Sequence, residues 1–157
     1  MCAKGAGIIF CQEVRKYKKG VTERYGCWAS FSKPAKGNHL GCAIYINCDT
    51  SFGCNPRGKP MAILQHQIVV LADEPRMHAV AVSAPMMAVI AISGHAPHIG
   101  HDMDEIKSWW ESVDDFLTAN RKGRSVIMGV DSNTTLANPI LGHIGVMFDQ
   151  ERIKKRL

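Results

Sequence analysis

Between residues 86 and 130 the chain reads as strand, helix, strand. Residues 86–93 form an apolar run, the segment GHAPHIG breaks it, and from Asp102 onward apolar side chains recur every three or four positions: Ile106, Trp109, Trp110, Val113, Phe116 and Leu117. That spacing puts them on one side of an α-helix. Asp102 is placed to cap the helix, and Glu105 completes a capping-box-like start. Near Asn120 the helix should stop, with Arg121 and Lys122 favourable at its negative end and Gly123 free to turn. Residues 125–130 then form a buried strand that ends in Asp131, Ser132 and Asn133. This run predicts an α/β fold in which sheet packs against helix.

Upstream, short strands dominate. Residues 7–11 are apolar and end on Gln12 and Glu13; residues 24–31 alternate; residues 41–47 give a third strand. Residues 15–22 read as a basic loop, 32–39 as turn and 49–60 as irregular, on their Gly, Pro and Asn content. Residues 65–71 and 77–82 flank Asp73, Glu74, Pro75 and Arg76 and predict a hairpin. Residues 134–157 are poorly patterned, there is no internal repeat, and nothing marks a boundary, so the 157 residues are read as a single domain.

The formal charge of +5 gathers at residues 15–19, Lys33 with Lys36, 121–124 and 152–156, which favours a phosphate-bearing partner as much as it describes solvated surface lysines. The most apolar run lasts seven residues, far below the ~20 a membrane helix needs. The opening MCAKGAGIIFCQE does not have the pattern of a secretory signal, so an intracellular setting is expected, the nucleus among the compartments open to it. The six cysteines contain no CxxC pair and match no zinc-finger spacing, and are expected to be reduced.

Three strand ends carry polar clusters: Gln12 and Glu13, then His95 and His98, then Asp131 and Asn133. Polar residues at several strand termini converge into a cleft. Carboxylate oxygens suit a hard divalent cation, and imidazole or amide donors reach phosphoryl oxygens. Singly, each cluster has an ordinary explanation: a solvated Glu13, loop histidines, an Asp131 and Asn133 that cap a turn.

In order and spacing these segments resemble the endonuclease/exonuclease/phosphatase superfamily, which includes deoxyribonuclease I and the endonuclease domains of non-LTR retrotransposons. IIFCQEV is similar to its metal-binding LQE strand, GCAIYIN to its G(V/A)A strand, ISGHAPHIG to its H/Y-x-P-N/H/S segment and IMGVDSN to its GDFN strand. Together they span residues 8–133. The resemblance implies a layered β-sandwich flanked by helices and a Mg²⁺- or Mn²⁺-dependent phosphodiester hydrolase of nucleic acid, DNA in the first place. It implies that Glu13 ligates the metal, His95 acts at the scissile phosphate, Asp131 orients the attacking water, Asn133 hydrogen-bonds the phosphate, and His98 is a secondary phosphate contact.

The family's early Asn strand and its late Asp-His pair have no counterpart here, so the expectation is a domain incomplete at both ends, with weak or no activity. The alternative is a non-catalytic remnant that binds nucleic acid or protein. A direct zinc site at His95, His98, His101 and Asp102 fits poorly, because its histidines are three apart with Pro97 between the first two.

Overall fold

A computed structural model describes residues 7–14, 20–24, 26–32 and 40–133 of the chain. The basic clusters at 15–19, Lys33 with Lys36, and 152–156 lie outside these residues, as does the segment 134–157. The elements in order are strands β1 (Ile8–Cys11), β2 (Gly20–Arg24), β3 (Cys27–Phe31), β4 (Ala43–Asn47), β5 (Gly53–Cys54), β6 (Pro60–Met61), β7 (Ile68–Glu74), β8 (Met77–Ala84) and β9 (Met87–His95), helix α1 (Met103–Asn120), and strand β10 (Ser125–Asp131).

Two four-stranded sheets carry the structure, ordered β1-β4-β3-β2 and β10-β9-β8-β7; β5 and β6 form a small ribbon. The first sheet is antiparallel throughout. In the second, β7, β8 and β9 are antiparallel, and only β10 runs parallel to its neighbour β9. Antiparallel strands can be joined by tight turns, whereas a parallel pair needs a long crossover, and α1 supplies the one crossover seen here.

The expectation of an α/β layered sandwich flanked by helices is therefore corrected: the fold is mostly β, with one α-helix among the described residues. The strand-helix-strand run of residues 86–130 exists, but nothing upstream of it among the described residues repeats that unit. Residues 20–24, read as loop and strand start, form the separate strand β2. Gly26, at φ 68°, then turns the chain into β3 where one continuous strand had been expected.

The core lies between the sheets. Trp28, Ile44 and Ile46 from the first sheet meet Ile68, Val80, Val82 and Ala91 from the second. Alternation along each strand sends the intervening residues outward. Ala79, Ile90 and Ile92 thus face away from the first sheet and take Phe116 and Leu117 of α1, while Val113 is the buried residue of the helix. Trp110, expected on the packed side, is 39% exposed. The Asp102 carboxylate accepts from the Asp104 amide as a cap, but Glu105 turns to His101 Nδ1 at 2.9 Å, so the capping box does not form in the expected way.

Polarity changes along the inter-sheet layer. At one end it is aliphatic; at the other, Ser30, Ser32, His78, Ser93 and His95 are all buried. His78 Nε2 meets Ser30 Oγ at 2.8 Å, across the two sheets. Burial lowers the His78 pKa from its ordinary 6.5, with the charge of Asp73 and the Ala72 backbone opposing the shift. The folded protein therefore holds a neutral imidazole that the unfolded chain protonates more readily. The stability this contributes is complete above pH 6.5 and is lost as pH falls below it. We expect urea midpoints of the parent to decline between pH 7.5 and pH 5 with a contribution from this residue of up to ~1.4 kcal/mol per pH unit. A His78→Gln variant should decline less steeply; identical slopes would contradict the assignment.

Candidate functional site

The polar end of the sandwich is where the sequence motifs finish. In β9, Ala91 points into the inter-sheet core, so Ser93 and His95 point the same way two and four residues on. The parallel register pairs Gly129 with Ser93 and Asp131 with His95. Asp131 therefore emerges on the same face as His95, at the same level, where β9 and β10 end together.

The first sheet reaches this edge through β1. Phe10 lies against Gly129, so closely that a Cβ on that glycine would sit 2.5 Å from the ring. Only glycine leaves room for this approach. The next inward residue, Gln12, donates both protons of its amide nitrogen, one to Ser93 Oγ at 3.1 Å and one to Gly129 O at 3.0 Å. Ser93 Oγ in turn donates to Cys11 O at 2.9 Å. A closed set of hydrogen bonds thus fastens the strand that precedes Glu13 to the strands that precede His95 and Asp131.

Glu13 is exposed and takes φ 54°, the left-handed region that a residue with a long side chain rarely adopts. His95 is 5% exposed, and its Nδ1 is buried without a hydrogen-bond partner. Its main chain is held on both sides: its N–H donates to Arg76 O at 2.9 Å, and Arg76 Nη1 approaches its carbonyl at 3.4 Å. Ala96 N then donates to Asp131 O at 2.9 Å.

Asn133, also at positive φ, donates through Nδ2 to Ala96 O at 2.7 Å, and its backbone N–H donates to Asp131 Oδ1 at 3.1 Å. Asp131 and Asn133 therefore do perform the turn-capping job that was their ordinary explanation. They also tie the His95 segment to the end of β10. One amide proton of Asn133 remains for another acceptor, and Asp131 keeps a second carboxylate oxygen.

His98 goes elsewhere. Its Nδ1 accepts from the Gly100 amide at 2.9 Å, and its ring contacts that of His101, with centroids 4.3 Å apart. His101 is engaged by Glu105. This loop sits at the start of α1, and the contacts of His98 join it to His101 rather than to His95.

Among the described residues no three His, Cys, Asp or Glu side chains cluster closely enough to cage a metal. Glu13 and Asp131 each offer hard carboxylate oxygens, the donor type of a cation such as Mg²⁺, which keeps several waters and is held by one or two carboxylates together with substrate phosphate. Burial pushes the Cys42 thiol up to about 12, against weaker opposing effects of Ser93 and Arg76, and raises the Cys11 thiol as well. The five cysteines of the described residues are free thiols.

Sequence reasoning passed over Ser93 and Arg76. Ser93 carried a signal, being a polar residue that closes an apolar strand; Arg76 was visible only as part of a turn. Comparison with protein-family models, with curated proteins and with solved structures finds no match to this chain. No helix of the described residues is long and apolar enough to cross a membrane.

Proposed function

We propose that the chain is a metal-dependent phosphodiester hydrolase domain of endonuclease type, acting on nucleic acid, DNA in the first place, in an intracellular setting with the nucleus among the compartments open to it, and with weak activity because counterparts of the early Asn and the late Asp-His pair are not found in its sequence. The observation that carries the reading is the parallel register of β9 and β10, which sets Asp131 beside His95 on the face to which Gln12 fastens the Glu13 strand.

In this reading Glu13 holds a Mg²⁺ or Mn²⁺ ion. The ion supplies Lewis-acid polarisation of a phosphoryl oxygen and offsets developing negative charge. Asp131 takes a hydrogen bond from the attacking water through its free oxygen and orients it. The remaining Asn133 amide proton and the His95 imidazole donate to phosphoryl oxygens, and the buried position of His95 keeps its ring from swinging away.

The test is Mg²⁺-dependent nicking of supercoiled plasmid by the full chain and by Glu13→Ala. The expected result is metal-dependent nicking that falls by at least about 100-fold in the variant, since members of a cooperating site lose orders of magnitude singly. Equal nicking by both proteins contradicts the reading. DNA binding that weakens with salt and survives replacement of Glu13, His95 and Asp131, without any nicking, identifies the non-catalytic alternative instead.

A further inference from the structure

We infer that Gln12 and Ser93 are positioning residues, whose clamp between the two sheets fixes the Glu13 carboxylate at the β9–β10 edge and thereby sets the affinity of that edge for a divalent cation. This rests on the phosphodiesterase reading, and deepens it by naming what holds its metal-binding residue in place.

Glu13 is tethered on both sides. Before it, the Gln12 amide uses both of its protons on the second sheet, at Ser93 Oγ and Gly129 O. After it, the Val14 N–H donates at 3.0 Å to the carbonyl of Gly41, in the segment that leads into β4. Gly41 itself is at φ 120°, and a Cβ there would stand 2.5 Å from Val14 O, so the second tether depends on a glycine. A chain pulled between two such anchors reaches the left-handed φ of 54° that Glu13 adopts, a conformation kept only where the surroundings over-determine it.

Ser93 completes the device. It is fully buried, in a strand whose other inward residues are apolar or small until His95. A hydroxyl in that position is costly unless it is hydrogen-bonded, and Ser93 is bonded twice: it accepts from Gln12 and donates to Cys11 O. The partners that orient a metal-binding side chain affect affinity nearly as much as the ligand itself, commonly by about 10- to 100-fold.

A role limited to holding the sheets together would give a different pattern from a role in placing Glu13, and Mn²⁺ binding separates them without any reliance on turnover. Mn²⁺ affinity of the full chain would be measured by electron paramagnetic resonance and calorimetry for the parent, Gln12→Met, Ser93→Ala, Glu13→Ala and Val82→Ala, each with its urea midpoint. Val82 is fully buried in the core away from this edge, so its variant reports general destabilisation.

The expected result is Mn²⁺ binding weakened by about 10- to 100-fold in Gln12→Met and Ser93→Ala, abolished in Glu13→Ala, and unchanged in Val82→Ala. Parent-like affinity in Gln12→Met and Ser93→Ala, with binding still lost in Glu13→Ala, overturns the clamp and leaves the phosphodiesterase reading standing. An equal loss in Val82→Ala also overturns the clamp, since it shows that destabilisation alone explains the effect. Parent-like binding in Glu13→Ala overturns both.

Discussion

On the proposed phosphodiesterase reading, replacing His95 by alanine is expected to lower whatever Mg²⁺-dependent cleavage the parent shows by about 10²- to 10⁴-fold, the range that a positioned proton-transfer or hydrogen-bonding group contributes. The imidazole is buried, its main chain is held by Arg76, and the register sets it opposite Asp131. Such a group is preorganised, and its loss cannot be made good by a neighbour. His98→Ala is the matched control. Its ring packs on His101 and accepts a local backbone proton, so its removal should change cleavage by less than about threefold. Rates for both variants under single-turnover conditions check this, and equal losses would contradict the separate places given to the two histidines.

For stability the largest effect is expected at Ile44. It is fully buried in β4, a central strand of its sheet, with Phe10 and Ser30 as its neighbours in register and Val80 and Val82 in the same cluster. Truncation to alanine removes apolar contact with both sheets at once and leaves a cavity, at a cost of about 2–5 kcal/mol. Against a total of about 5–15 kcal/mol for a domain, that is a large fraction. Ile127→Ala, by contrast, changes a residue of the edge strand β10 that is 45% exposed, and should stay within about 0.5 kcal/mol of the parent. Urea unfolding of the two variants measures the difference directly, and similar midpoints would contradict the placement of the core.

These two variants also mark how far the amino-acid sequence alone carries. Strands at β1, β4, β8, β9 and β10 and the helix α1 are legible because each is a continuous or periodic apolar segment bounded by Gly, Pro or a cap. β2 is not legible: its residues Gly20–Arg24 are polar for an edge strand, and their pairing with β3 is what makes them extended. The fold class differs from the expectation for a related reason. The strand-helix-strand unit and the β7–β8 hairpin are visible locally, whereas the antiparallel pairing of β1 with β4, which builds the first sheet, joins segments far apart in the chain.

The same distinction runs through the site. Glu13, His95 and Asp131 could each be chosen as a polar residue closing an apolar strand. What ties the strand before Glu13 to the strands before His95 and Asp131 is the Gln12 amide, whose partners lie 81 and 117 residues away in the chain, together with a glycine at 129 that lets Phe10 approach. No local pattern encodes those separations. His98, expected as a secondary phosphate contact, instead accepts from the Gly100 amide and packs on His101 at the start of α1.

The central proposal is that Glu13 holds a cation at the end of the two-sheet structure where His95 and Asp131 also emerge. Paramagnetic broadening tests it most directly: backbone amide spectra of the full chain recorded with sub-stoichiometric Mn²⁺. The account predicts selective loss of signal from residues 12–14, 94–96 and 130–133 together, with residues 98–105 and the aliphatic end of the core unaffected. Broadening centred on His98, His101 and Glu105, or confined to only one of the three predicted segments, would contradict it.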